Sequence, residues 1–73
     1  MIMKQILKTT EDIGQLIRTL RKQRNLTQQQ LAQLSNVGTR FLSDIENGKQ
    51  TCEIGKVLKI FSNLGINIEA TYD

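Results

Sequence analysis

The sequence contains no histidine, no proline and no tryptophan, and it has a single cysteine, Cys52. Without histidine, and with one thiol, the chain cannot assemble the Cys/His ligand set of a zinc site, and it cannot form an internal disulfide. Cys52 is therefore expected to be a small, semi-buried filler. The same absences argue against an enzyme, because the thiol has no histidine base and no glycine-rich phosphate loop is present. We expect no cofactor and no metal.

Long apolar runs are also missing, so no stretch of the sequence is predicted to span a membrane. The first residues, MIMKQILK, lack the apolar block and the small-residue cleavage site of a signal peptide. A soluble cytoplasmic protein is the expectation. Ten Lys/Arg against seven Asp/Glu give a net charge of +3. That balance suits nucleic acid, but it is equally the balance of an ordinary soluble surface.

The chain has 73 residues, which is enough for one domain with one small core. A domain of this size buries only about 60% of the surface that its unfolded chain exposes, and its stability is marginal. Small folds gain the missing stability from disulfides, metals or a partner subunit. The first two are excluded by composition, so a homodimer is expected.

The spacing of apolar residues predicts four helices within residues 10–65. The first helix carries a stripe at positions i, i+3, i+4 and i+7, formed by Ile13, Leu16, Ile17 and Leu20. Either Thr9, with Asp12 following it, or Thr10 can cap its start, and the helix is expected to stop at Asn25. The first helix is therefore predicted to be amphipathic, with one face against the core.

A sharper start signal opens the second helix, where Thr27-Gln28-Gln29-Gln30 has the pattern of a capping box. Leu31 and Leu34 are predicted to form the buried side of this helix. The segment Asn36-Val37-Gly38 should end it after about two turns, since asparagine and glycine tolerate the backbone conformation of such a turn.

The third helix is predicted to run from about Thr39 to Asn47 and to end at Gly48. Thr51 is the expected cap of a fourth helix, which Gly65 ends. The apolar stripe of the fourth helix comprises Ile54, Val57, Leu58, Phe61 and Leu64.

The two ends of the chain alternate apolar and polar residues. The alternation over residues 66–73 predicts a strand, and residues 1–9 form an N-terminal arm or a short strand with a weaker pattern. A lone strand leaves its backbone groups unpaired. The C-terminal strand could pair with the N-terminal arm or with its twin across a two-fold axis, which would close a dimer.

Residues 26–49, LTQQQLAQLSNVGTRFLSDIENGK, contain two short helices, a three-residue turn and an Asn-Gly stop. This stretch resembles the lambda-repressor-like family of helix-turn-helix proteins, also called XRE. With the flanking helices, the resemblance covers residues 10–65 and implies a mainly α, four-helix DNA-binding domain. The sequence departs from the family at Asn36, where glycine is usual, and at Gly38, where a serine cap is usual. Both residues are compatible with the required backbone.

A helical wheel of the third helix separates Phe41, Leu42 and Ile45 from a polar side, where a recognition helix would meet base edges. The polar side comprises Thr39, Arg40, Ser43, Asp44 and Asn47. Arg40 can donate two hydrogen bonds to guanine, and Thr39 and Ser43 can bond to bases. Asp44 can orient Arg40 or accept from cytosine. The alternative is that these side chains form an ordinary solvated face.

The resemblance also implies roles outside the polar side of the third helix. Gln28 would contact the DNA backbone and brace the recognition helix, as suits the first residue of a helix. Asn47 and Lys49 are placed for phosphates, although Lys49 could equally be a plain surface lysine. Arg21 and Glu46 would form an ion pair that belongs to the scaffold.

A helix-turn-helix domain followed by a dimerising strand resembles HipB-type antitoxins, the DNA-binding partners of HipA-type kinase toxins. This resemblance implies a homodimer on a palindromic operator, repression of its own operon and binding to a HipA-like kinase toxin. The alternatives are a phage-type or stand-alone XRE regulator without a toxin, and a protein-interaction module that has the fold without DNA binding.

Overall fold

Four helices build the fold in the computed structural model, which describes residues 2–73. They are α1 (Thr10–Gln23), α2 (Gln28–Ser35), α3 (Thr39–Glu46) and α4 (Ile54–Asn63). α3 packs against α1 and α2, and α4 packs against α2. The mainly α, four-helix prediction is confirmed. None of the helices within residues 2–73 has both the length and the apolar content needed to cross a membrane.

Local hydrogen bonds explain where the first two helices begin. Thr9, rather than Thr10, caps α1: its hydroxyl accepts from the Asp12 amide at 3.0 Å, and Asp12 accepts from the Thr9 amide at 3.2 Å. The predicted capping box of α2 is confirmed, with Thr27 and Gln30 exchanging bonds of 3.0 and 2.8 Å. Each box satisfies backbone donors that have no partner inside the helix.

The turn between α2 and α3 uses the residues at which the sequence departs from the family pattern. Asn36 ends α2 with φ 55° and ψ 46°, the left-handed conformation that asparagine adopts more easily than most residues. Gly38 caps α3 with extended backbone and, having no side chain, provides no side-chain cap. Both departures are therefore accommodated without loss of the helix-turn-helix geometry.

The core lies where the four helices meet. Its buried apolar members are Ile17, Leu31, Ala32, Leu42, Ile45, Val57, Ile60, Phe61 and Leu64. Ile17, Leu31, Leu42 and Ile60 come from four different helices, and each has no exposed surface. The inner face of α3 is thereby held against the rest of the molecule, which fixes the direction of its outer face.

Some residues of the predicted apolar stripes are not buried. Leu34 has 60% of its surface exposed, and Ile54 and Leu58 are exposed on α4. α2 is only eight residues long, and its neighbours cover the side that carries Leu31, Ala32 and Ser35. The prediction that Leu34 is buried was therefore wrong, because the packing of α3 and α4 leaves its side of α2 open.

The connection between α3 and α4 also differs from the prediction. α4 begins at Ile54 after an N-cap at Glu53, and Glu53 makes no side-chain capping bond, so the predicted Thr51 cap was wrong. Cys52 lies in this non-helical connection and is exposed, rather than semi-buried. This connection runs over the surface, so the side chains of Thr51 and Cys52 are both exposed.

The C-terminal strand does not form. Residues 2–73 contain no β-strand, and residues 66–73 have no regular secondary structure. Ile66 is half-buried, and its amide donates to the Phe61 carbonyl at 2.9 Å, which closes the end of α4. The residues after it are exposed. A strand requires a neighbour with which to pair, and residues 66–73 form no ladder with any other part of residues 2–73.

Two side chains tie helix ends together across the fold. Arg24 donates to the Leu64 carbonyl at 2.6 Å, at the end of α4. Asn63 donates to the Leu34 carbonyl at 3.2 Å and to the Ser35 hydroxyl at 3.3 Å, at the end of α2. Carbonyls that lack partners within their own helices are thereby satisfied. The Arg24 contact joins the end of α1 to the end of α4, and the Asn63 contacts hold α4 against α2.

Candidate nucleic-acid interface

The two sides of α3 have different surroundings. Leu42 and Ile45 are buried in the core, and Phe41 is half-buried at its edge. On the other side, Thr39 and Arg40 are exposed in the first turn, next to the exposed Gly38 cap. Ser43 and Asp44 are partly buried one turn later, and Asn47 is exposed at the end of the helix. The structure therefore places the candidate base-reading residues on an accessible face.

A buried carboxylate, that of Glu46, lies at the C-terminal end of α3. The Glu46 side chain is fully buried, and it accepts from Arg21 Nε at 2.7 Å and from Arg21 Nη2 at 3.0 Å. This is the ion pair that the resemblance implied. Arg21 Nη1 also donates to the Leu26 carbonyl at 2.8 Å. The two-pronged geometry is the strong form of an arginine–carboxylate contact, and it joins α1 to α3.

Gln28 and Arg18 complete the environment of Glu46. Gln28 Nε2 donates to Glu46 Oε1 at 3.1 Å, so the first residue of α2 braces the end of α3. Arg18 Nε reaches the same oxygen at 3.4 Å, and its Nη2 donates to Asn47 Oδ1 at 3.0 Å. Gln28 and Asn47 thus lie on one hydrogen-bonded network with Glu46 at its centre. The sequence reasoning missed Arg18, although it lies one turn from Arg21 on α1.

The partly buried Asp44 and the exposed Lys49 form an ion pair at the surface. Their charged atoms, Asp44 Oδ2 and Lys49 Nζ, lie 3.6 Å apart. The Lys49 amide also donates to the Asp44 carbonyl at 3.0 Å, because the chain folds back after Gly48. Within residues 2–73 Asp44 makes no bond to Arg40, so the expectation that it orients this arginine is not met. The Asp44 carboxylate pairs with Lys49 instead.

A family model described as helix-turn-helix matches residues 17–70, which is most of the chain. The chain belongs to the XRE-type helix-turn-helix family. An uncharacterized HTH-type transcriptional regulator, y4mF of Sinorhizobium fredii, is 49% identical over 63 residues, which cover 86% of this chain and 83% of that protein.

Solved structures show the same fold. HipB in complex with an O4 20mer superposes with a TM-score of 0.84 at 19% identity, covering 94% of this chain and 97% of HipB. A further structure contains HipB together with HipA. SinR, a master regulator for biofilm formation solved in complex with DNA, superposes with a TM-score of 0.68 at 28% identity, covering 75% of this chain and 89% of SinR.

The electrostatics of this XRE-type chain centre on Glu46. Burial by itself raises the pKa of Glu46, but the hydrogen bonds from Arg21, Gln28 and Arg18 outweigh burial and hold the pKa below its ordinary value. The folded protein therefore favours the ionised carboxylate. The pKa of Asp12 is also lowered, through the Lys8 amide and the capping contacts with Thr9.

We expect the XRE-type fold to lose stability in acid. A carboxyl with a lowered pKa contributes its full stability above its ordinary pKa and loses it as the pH falls toward the folded-state value. Urea unfolding from pH 7 to pH 3 should show a loss that begins near the ordinary carboxylate range. In Glu46→Gln that loss should be smaller, with the Asp12 contribution remaining. Equal acid losses in both proteins would contradict the assignment to Glu46.

Proposed function

We propose that this chain is a sequence-specific DNA-binding transcriptional repressor that acts as a homodimer and inserts α3 into the major groove. The observation that carries this proposal is the exposed first turn of α3, with Thr39 and Arg40 outward while Leu42 and Ile45 anchor the helix. The family membership and the SinR–DNA likeness support it. The proposal assigns the chain no catalytic role and no cofactor.

The bases would be read from the outer face of α3. Arg40 is free to donate a bidentate pair to guanine, the commonest specific contact in the major groove. Thr39 and Ser43 carry hydroxyls that can donate to or accept from base edges. Asp44, whose carboxylate is paired with the Lys49 ammonium group, can accept a hydrogen bond from cytosine N4. These residues would set the preferred sequence.

The DNA backbone would be held at both ends of the recognition unit. Gln28 opens α2, where free backbone amides and the helix dipole favour a phosphate. Asn47 and Lys49 follow α3 and are exposed. Of these residues, only Lys49 carries charge, so it would supply the salt-dependent part of these three contacts.

Two copies would bind a palindromic operator, with recognition helices about 34 Å apart. Residues 66–73 are the proposed dimerisation segment. In the single chain, Ile68 and Tyr72 of this segment are exposed, with 63% and 87% of their surfaces open. Association would bury such apolar surface and stabilise a domain that is small for a monomer. Equilibrium sedimentation tests this step independently of DNA.

A narrower function is that of an antitoxin which represses its own operon and binds a HipA-like kinase toxin. The HipB structures support this, because they match almost the whole chain, although at 19% identity the likeness extends to the fold alone. A stand-alone regulator without a toxin is the second candidate, favoured by the likeness to SinR. Co-purification with the product of the adjacent gene separates the two: a stable complex with a kinase-like protein is expected for the antitoxin.

DNA binding is tested with the DNA upstream of the chain's own gene and with a duplex that the protein selects from a random library. We expect a palindromic preference and an affinity that falls as salt rises. Arg40→Ala should cost about 1–3 kcal/mol and relax the preference at one base pair of each half-site. The control Lys59→Ala removes one exposed positive charge from α4 and should leave base preference intact.

The alternative, an interaction module without DNA binding, predicts a different outcome. In that case the library would yield no preferred duplex even at low salt, and Arg40→Ala and Lys59→Ala would behave alike. Either result would overturn the proposed function.

A further inference from the structure

Arg18 links two side chains at the end of α3. Its Nε lies 3.4 Å from Glu46 Oε1, and its Nη2 donates to Asn47 Oδ1 at 3.0 Å. The Arg18 side chain is 41% exposed, whereas the Glu46 carboxylate that holds it is fully buried. Arg18 therefore reaches from the buried network to the surface where α3 ends.

This contact fixes which way the Asn47 carboxamide points. A guanidinium group carries only donors, so only the carboxamide oxygen can face it. With Oδ1 turned toward Arg18, the Nδ2 group and its two hydrogens are directed away from it. Asn47 is exposed, and within residues 2–73 its Nδ2 donates no hydrogen bond. The outward face of the side chain is thus a donor without a partner.

A donor of this kind suits one class of ligand on DNA. Reading adenine requires an asparagine to present Oδ1 and Nδ2 to the same base, and here Oδ1 is turned toward Arg18. A phosphate oxygen needs only a donor. Asn47 also lies about 12 Å along the axis from Thr39, at 1.5 Å per residue, which is about the width of the major groove. It therefore lies at the opposite end of α3 from the base-reading first turn.

We propose that Arg18 is a positioning residue: it holds Asn47 with Nδ2 outward, so that Asn47 binds a DNA phosphate and does not read a base. This inference rests on the proposed DNA-binding function. The support of Arg18 comes from Glu46, which is itself held by Arg21 and Gln28. The buried Glu46 carboxylate thereby helps to position both Gln28 and Asn47, the two uncharged residues proposed to contact the DNA backbone.

The test is a double-mutant cycle on the duplex that the wild-type protein selects. Arg18→Ala and Asn47→Ala should each weaken binding about 3- to 10-fold per half-site, the worth of one ordinary hydrogen bond. The double variant should be no weaker than Asn47→Ala alone. The losses should be the same on duplexes with single base substitutions. Arg18→Lys, which keeps a donor, should recover part of the affinity.

The salt dependence separates positioning from direct contact. If Arg18 neutralises no phosphate itself, the slope of log affinity against log salt should be unchanged in Arg18→Ala. Losses that multiply in the double variant, or a slope reduced by about 0.9 for each half-site, would show that Arg18 binds phosphate directly and would overturn the inference. An Asn47→Ala loss confined to duplexes with one particular base pair would also overturn it.

NMR and thermal unfolding of the DNA-free protein separate a loss of Asn47 positioning from a loss of folding. In wild-type protein without DNA, the NMR shifts of the two Asn47 Nδ2 protons should differ from those of a free carboxamide, and in Arg18→Ala they should move to the free values. Thermal unfolding of the same variant should change little, because Arg21 and Gln28 still satisfy Glu46. An unmoved Asn47 signal would refute the positioning role while leaving DNA binding intact. Failure of the wild-type protein to bind any duplex would instead remove the proposed function.

Discussion

Replacing Glu46 with alanine is expected to lower the free energy of unfolding by about 3–5 kcal/mol. Arg21 is 8% exposed and would be left as a buried charge without its carboxylate. Gln28 and Arg18 would lose the same acceptor. A domain of this length has a total stability of only about 4–11 kcal/mol, at about 0.05–0.15 kcal/mol per residue. The variant should therefore be partly unfolded in the absence of stabilising ligands.

Urea unfolding followed by circular dichroism measures this loss. The matched control is Glu53→Ala, because the Glu53–Lys56 pair is exposed, with 73% of the Glu53 side chain open to solvent. Exposed pairs contribute about 0–1 kcal/mol, so the control should lose little. The double variant Arg21→Met/Glu46→Leu should be more stable than Glu46→Ala, since it leaves no buried charge. Similar losses in Glu46→Ala and Glu53→Ala would show that the buried pair is not a major support of the fold.

Gly14→Ala is expected to be the second strongly destabilising change. A Cβ at this position would overlap the Ile45 carbonyl oxygen and lie 2.8 Å from that of Glu46. Both atoms belong to the backbone of α3 and cannot rotate away. α1 and α3 must therefore separate, which opens the core around Ile17 and Leu42. We expect a net loss of about 1–3 kcal/mol despite the better helix propensity of alanine.

Gly55→Ala is the matched control, because it is the same substitution at a helical glycine that has open space around it. Gly55 lies in the first turn of α4, and a Cβ there meets nothing within 4 Å. Alanine should stabilise this exposed helical position by about 0.5–1 kcal/mol, because glycine loses more backbone entropy on folding. Opposite signs for the two substitutions in thermal unfolding are the expected result. Equal effects would mean that α1 and α3 are not in close backbone contact at Gly14.

The features that the sequence predicted well depend on residues close together in the chain. The capping box of α2 needs only Thr27 and Gln30, and its two bonds form as expected. The left-handed residue at the end of α2 was also foreseeable from Asn36. Burial was less predictable. An apolar stripe marks a helix face, but Leu34 is exposed because coverage depends on where α3 and α4 lie.

The candidate site shows the same division. Periodicity alone separates Arg40 from Leu42 on α3, because both belong to one short helix. The Arg18–Asn47 contact joins residues that are 29 positions apart, and no local pattern indicates it. The tail presents a third case, since its alternation over residues 66–73 is present in the sequence but no strand forms there within residues 2–73. Features that depend on contacts between distant parts of the chain could therefore not be predicted from local sequence patterns.

The most direct test of a DNA-reading face on α3 is an NMR titration of the isotope-labelled protein with its selected duplex. The largest amide shifts should fall at Thr39 and Arg40, at Gln28, and at the Asn47–Lys49 segment. α4 should show small changes away from any dimer contact. Shifts concentrated on α4 or on residues 66–73, with the first turn of α3 unmoved, would contradict this assignment of the binding face.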